Sequence, residues 1–141
     1  MKFGSLMPRA AIALGLAIGL TGTSAMAQVV TGKKNLVCAS QDVMACIDGP
    51  VCMQGNTNTF DLPAFMFINV KNKDIRAVDE DGSEVVTPVM THEVTEESVI
   101  MQGFENHRGW TMAVDRADGS FTLSATGRDV NFMVMGACTA L

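Results

Sequence analysis

The sequence predicts an all-β fold, an antiparallel meander of about eight strands that is closed or nearly closed into a barrel. Three observations predict it. Short runs rich in Val, Ile, Phe and Thr recur at even spacing. Turn signals made of Gly, Asp, Asn and Pro separate them. Over residues 28–141 no segment carries apolar residues at the 3.6-residue period of a helix. Closure is favoured because a barrel leaves no unpaired strand edge on which another chain can add.

Taken in order, residues 1–27 read as a secretory signal peptide. Lys2 and Arg9 give a positive start, residues 10–20 (AAIALGLAIGL) an apolar run of eleven, and Ala25-Met26-Ala27 a small-residue cleavage site. The apolar run is too short to cross a bilayer as a helix. The expected mature protein is a single domain, residues 28–141, in the periplasm or secreted, with no membrane span.

Residues 28–35 read as a short polar terminus. A first strand with an irregular middle follows over 36–47, and Asp48-Gly49-Pro50 turns it. Residues 54–63 read as a loop, with Pro63 where a strand could begin. A strand over 64–70 returns as 75–78 after Lys71-Asn72-Lys73-Asp74. Asp79-Glu80-Asp81-Gly82 makes the next turn. The run 84–94 is interrupted by Pro88, which predicts an edge, a bulge or a break. Strands over 98–105, 110–115, 121–126 and 130–138 complete the set, joined by Gly- and Asp-containing turns.

Alternation assigns the faces. Trp110, Met112 and Val114 share one face, as do Phe121, Leu123 and Ala125, with polar or small residues between them. Residues 64–68 and 132–135 are apolar on both faces. Their outer side is expected to be covered by a loop, the N-terminal segment or a second subunit.

The cysteines are Cys38, Cys46, Cys52 and Cys138, without any C-x-x-C spacing. In an exported chain this predicts two structural disulfides rather than a metal or redox site. An extended first strand holds Cys38 and Cys46 about 26 Å apart at ~3.3 Å per residue, too far to bond. Cys46 and Cys52 flank a turn, and a closed meander lays the first strand beside the last. The expected pairs are Cys46–Cys52 and Cys38–Cys138.

Charge excludes some classes of partner. Removing Lys2 and Arg9 takes the formal net charge from −5 to −7. An acidic domain without a Lys/Arg cluster is a poor binder of nucleic acid or anionic lipid. The two histidines, His92 and His107, belong to no metalloprotease or triad pattern, and no nucleophile elbow is present. An enzyme is not expected.

Two sets of residues are candidates for binding. Trp110, Met112, Phe121 and Phe132 sit on inward strand faces and would line a ligand cavity if the barrel is hollow. Met90, His92, Met133 and Met135 form i, i+2 pairs of thioether and imidazole groups, a ligand chemistry suited to Cu(I). Methionine is also an adaptable core filler where aromatics are few.

The stretch Met101-Gln102-Gly103-Phe104-Glu105-Asn106-His107-Arg108-Gly109-Trp110, with Val114-Asp115-Arg116-Ala117-Asp118-Gly119 and Gly136-Ala137-Cys138-Thr139, resembles a group of uncharacterised small exported proteins of Gram-negative bacteria. With the other cysteines the resemblance covers most of residues 28–141. It implies an exported β domain and no activity. In architecture alone the meander is similar to lipocalin-like barrels and to periplasmic lysozyme inhibitors. The leading expectation is therefore a periplasmic binding or interaction module for a small apolar molecule or a protein partner. The alternatives are a Cu(I) carrier and a self-associating structural domain that forms a homodimer.

Overall fold

Alternating apolar and polar residues build one antiparallel sheet of ten strands. The structure, a computed structural model, describes residues 29–79 and 81–141. The signal-peptide reading of residues 1–27 lies outside the described residues. The strands are β1 (Leu36–Ile47), β2 (Cys52–Gly55), β3 (Phe65–Asn69), β4 (Asp74–Val78), β5 (Glu84–Pro88), β6 (Thr91–Val94), β7 (Ser98–Glu105), β8 (Arg108–Asp115), β9 (Ser120–Thr126) and β10 (Val130–Ala140). Their order is β5-β4-β3-β1-β10-β9-β8-β7-β6, with β2 beside β1. The sheet curls into a barrel that is nearly but not fully closed. Among the described residues no helix is long and apolar enough to cross a membrane.

The first strand organises the sheet. One edge of β1 pairs with β10 along almost its whole length, from Leu36↔Ala140 to Ile47↔Val130. The other edge is divided between β3, from Leu36 to Ala39, and β2, from Val43 to Cys46. The irregular middle expected of this strand is a bulge: Ser40 faces Gly136 and Asp42 faces Met135, which leaves Gln41 as the extra residue. A bulge shifts the alternation by one. Buried positions accordingly change from Leu36 and Cys38 to Val43 and Ala45.

Both disulfides lie between direct strand neighbours. Cys38 and Cys138 are partners in the β1–β10 register and are bonded, and so are Cys46 and Cys52 across β1–β2. The first ties together the two strands that close the meander.

Ten strands replace the expected eight for two reasons. Residues 52–55, beyond the Asp48-Gly49-Pro50 turn, return along β1 as β2 before a single 3-10 turn at Thr57–Thr59. The run 84–94 is two strands on opposite edges of the sheet. Pro88 ends β5, which pairs with β4; Val89 then donates to the Lys73 carbonyl (2.8 Å) and Met90 to the Gln102 carbonyl of β7 (2.8 Å). Within these residues the chain crosses from one edge to the other. The expected break at Pro88 is therefore the gap in the barrel.

One end of the barrel is sealed. Val30 is fully buried there and donates to the Arg116 carbonyl (2.9 Å). The Arg116 guanidinium donates in return to the carbonyls of Val30 (3.2 Å), Thr95 (2.6 Å) and Glu96 (3.0 Å). It thus clasps the N-terminal segment against the β6–β7 turn. Above this seal Leu36, Ile68, Val99, Met101, Met112, Val114 and Phe121 fill the interior. Each such side chain contributes about 1.5–3 kcal/mol through burial.

Candidate functional site

The opposite end is open and hollow. The β7–β8 hairpin explains its shape. Asn106 and His107 both adopt positive φ (46° and 62°), the conformation of a two-residue type I′ turn that matches the twist of paired strands. This turn makes Glu105 and Arg108 direct partners at the rim. The alternation then sets depth along β8: Arg108 at the rim, Trp110 below it, Met112 and Val114 in the filled half.

Trp110 fits because its neighbours are small. Its partners in register are Gly103 on β7 and Ala125 on β9. A Cβ on Gly103 would come within 2.4 Å of the indole Cζ2 and 2.6 Å of the Pro88 carbonyl oxygen. The ring therefore occupies the space that a side chain at 103 would take. Trp110 is 8% exposed, and its indole N–H is buried without a partner among the described residues.

In front of this ring lies a cavity of about 340 Å³. Its deeper walls are apolar, from Met66, Ile75, Ala77, Leu123, Ala125 and Val134. Its rim is polar, with Asp61, Asp79, Glu105 and Arg108. Thr87 donates to the Glu105 carboxylate (2.6 Å), and the Arg108 guanidinium stands 5.7 Å from the centre of the Phe132 ring. Phe60 meets Phe132 edge to face at 6.4 Å. A separate open depression at Gln41, Ala113, Thr122 and Met135 lies on the outer face beside the bulge.

The four inner-face candidates separate by depth. Trp110 lines the cavity. Met112 (fully buried) and Phe121 (3% exposed) belong to the filled half. Phe132 packs against the core beside the rim, under Arg108. The alternation put all four on the inner face without saying which depth is hollow. It also put Glu105 on that face, two residues along from Gly103 at the end of the expected strand 98–105, whereas Arg108 was missed because the next strand was expected to begin only at residue 110.

The soft-metal candidates do not converge. His92 faces Met101, which is buried, so it sits on the inner face of β6. Met133 and Met135 face Ser124 and Thr122 on the outer face of β10, four strands away in the sheet, and Met90 is 71% exposed. A single ion cannot reach both faces. Among the described residues no group of three or more His, Cys, Asp or Glu side chains is placed to hold a metal.

The apolar outer faces expected for 64–68 and 132–135 lie at different levels of the sheet: β3 flanks Leu36 to Ala39 of β1, whereas residues 132–135 face residues 42–45 beyond the bulge. Phe65 (66% exposed) and Val37 remain open on the first and Met133 on the second, so neither a loop nor the N-terminal segment from Val29 onward covers them. Comparison with protein-family models, curated proteins and solved structures found no match.

Proposed function

We propose that this chain is an exported binding module that takes a small, mainly apolar molecule into the open end of its barrel. The cavity beside Trp110 carries this reading. Protein interiors are normally packed to the density of organic crystals, and an unfilled hollow lowers stability. A volume of about 340 Å³ with apolar walls and a few polar groups at its mouth lies in the range of small-molecule sites. Small barrels of this kind are either filled or hold one ligand; here one half is filled and the other is open. Two disulfides are consistent with an oxidising compartment, and the periplasm, or release from the cell, follows from the signal-peptide reading of residues 1–27.

The test is uptake of N-phenyl-1-naphthylamine, an uncharged apolar fluorophore that is dark in water. One probe per chain is expected to bind with enhanced emission. Ala77→Phe fills the cavity from the β4 side and is expected to abolish uptake with the β-sheet circular dichroism retained. Absence of uptake, or uptake indifferent to Ala77→Phe, counts against the reading.

A second reading rests on a different observation, the apolar outer face around Phe65 and Val37. A second copy of the chain could cover it through a two-fold contact, in which one patch serves both subunits. Sedimentation velocity at micromolar concentration would show a dimer that Phe65→Ser dissociates; a monomer at all concentrations removes this reading.

A further inference from the structure

We propose that Met44, Met133 and Met135 form a thioether site for a soft monovalent cation, Cu(I), on the outer face of β1 and β10. The site is separate from the cavity and adds a second binding function to the barrel. Met44 and Met133 are direct partners in the β1–β10 register. Val43 and Ala45 on either side of Met44 are fully buried, so Met44 points outward and is 38% exposed. Met133, next to buried Val134, points outward as well and is 41% exposed. Met135 follows two residues on and shares that face. The bulge at Gln41 creates this meeting. Inward positions of β1 are even-numbered at Leu36 and Cys38 and odd-numbered at Val43 and Ala45. Without the extra residue the even series would continue to Met44 and turn it into the core.

Spacing and chemistry agree with one ion. Direct cross-strand partners hold their Cβ atoms about 4.5–5.5 Å apart, and diagonal neighbours, here Met44 and Met135, stand at about 7–8 Å, within reach of long side chains. Methionine is unbranched with three rotatable bonds, so sulfurs anchored at these positions can turn toward one point above the sheet. Thioethers are soft donors that select Cu(I) over harder ions. All four cysteines are in disulfides, which leaves methionine as the soft sulfur ligand of this chain. Asp42, opposite Met135 in register, sets an exposed carboxylate beside the site. The other strand partners of the three methionines are Gln54, Ser124 and Thr122, none of which carries a positive charge. Met44 replaces Met90 and His92 of the set expected from sequence, which the sheet holds apart from Met133 and Met135.

Titration with Cu(I), supplied without oxygen as its acetonitrile complex and in competition with bicinchoninate, tests this. One ion per chain is expected to bind, and excess Zn(II) is not expected to displace it. Met44→Leu, Met133→Leu and Met135→Leu keep the apolar volume and remove the sulfur. Loss of even a group behind a metal ligand weakens binding by about 10–100-fold, so each of these substitutions is expected to weaken Cu(I) by at least about tenfold. Met90→Leu, at a methionine that is 71% exposed, is the control and is expected to leave the affinity unchanged. A measurement on the unaltered protein guards against misfolding of the variants. Ag(I), a redox-inert ion of similar softness, is expected to move the methyl resonances of Met44, Met133 and Met135 together and those of the other methionines little. No uptake of Cu(I) would overturn the proposal. So would a loss with Met90→Leu equal to that of the other three, or Ag(I) shifts spread evenly over the exposed methionines.

Discussion

Thr87 on β5 donates its hydroxyl to the Glu105 carboxylate on β7 at 2.6 Å, linking two strands that face each other across the gap in the sheet without sharing a ladder. Backbone pairing stops at this gap because Pro88 ends β5 and the chain crosses to β7. Side chains take over the closure. Thr87→Val keeps the shape and removes the donor. Hydrogen bonds to charged groups contribute about 1.5–3 kcal/mol when shielded. This one is part-buried, so a loss of about 1 kcal/mol is expected in urea unfolding. Faster amide exchange should be confined to residues 84–87; unchanged protection there would mean that other contacts hold the gap.

Gly103 is required by the indole beside it. Gly103→Ala drives a methyl into Trp110 and the Pro88 carbonyl, and overpacking of this kind costs about 1–3 kcal/mol. The emission of the only tryptophan should move as the ring is displaced. Gly109→Ala is the control, since a Cβ there meets nothing within 4 Å. It is expected to change stability by less than about 0.5 kcal/mol. Equal effects of the two substitutions would contradict the close approach.

The two disulfides should differ in effect. They close segments with sequence separations of 100 and 6 residues. Loop closure in the unfolded chain then predicts about 5 kcal/mol from Cys38–Cys138 and about 2 kcal/mol from Cys46–Cys52. Unfolding of the paired alanine variants in urea measures both. A larger loss from the Cys46–Cys52 pair would show that strain or residual structure, rather than loop length, governs them.

Arg116 holds the sealed end through three carbonyls on two segments. Arg116→Ala is expected to cost about 2 kcal/mol. It should also open residues 29–35 to proteolysis while probe binding at the far end stays within threefold. Lysine is a point donor without a fork, so Arg116→Lys should restore less than half of the loss.

The filled and hollow halves respond in opposite ways. Met112→Ala removes a fully buried side chain and is expected to cost about 2–5 kcal/mol, with probe affinity of the folded protein little changed. Ala77→Phe should abolish binding at a small cost in stability. If Met112→Ala alters affinity as much as Ala77→Phe does, the boundary between the halves lies elsewhere.

The sequence carried much of this arrangement locally. Trp110, Met112 and Val114 alternate with Thr111, Ala113 and Asp115, and that period places the former on the buried face wherever the strand is put. The turn at Arg116 to Gly119 and an interruption at Pro88 (an edge, a bulge or a break) were legible for the same reason: each depends on the backbone preferences of a few adjacent residues. The bulge at Gln41 was legible only as irregularity, since its position depends on register with β10. Strand β2 was not legible, because four residues after a turn acquire strand character only by pairing with β1.

By itself, then, the sequence determined an all-β antiparallel chain with its inward faces, its turns and an interruption at Pro88, because those follow from side-chain period and local conformational preference. Tertiary structure alone decided that Glu105 meets Thr87, that Met133 and His92 fall on opposite faces, and that the barrel is filled around Met112 and hollow in front of Trp110. These depend on how far the sheet curls and on the summed volumes of side chains from strands distant in sequence. No run of adjacent residues encodes those quantities.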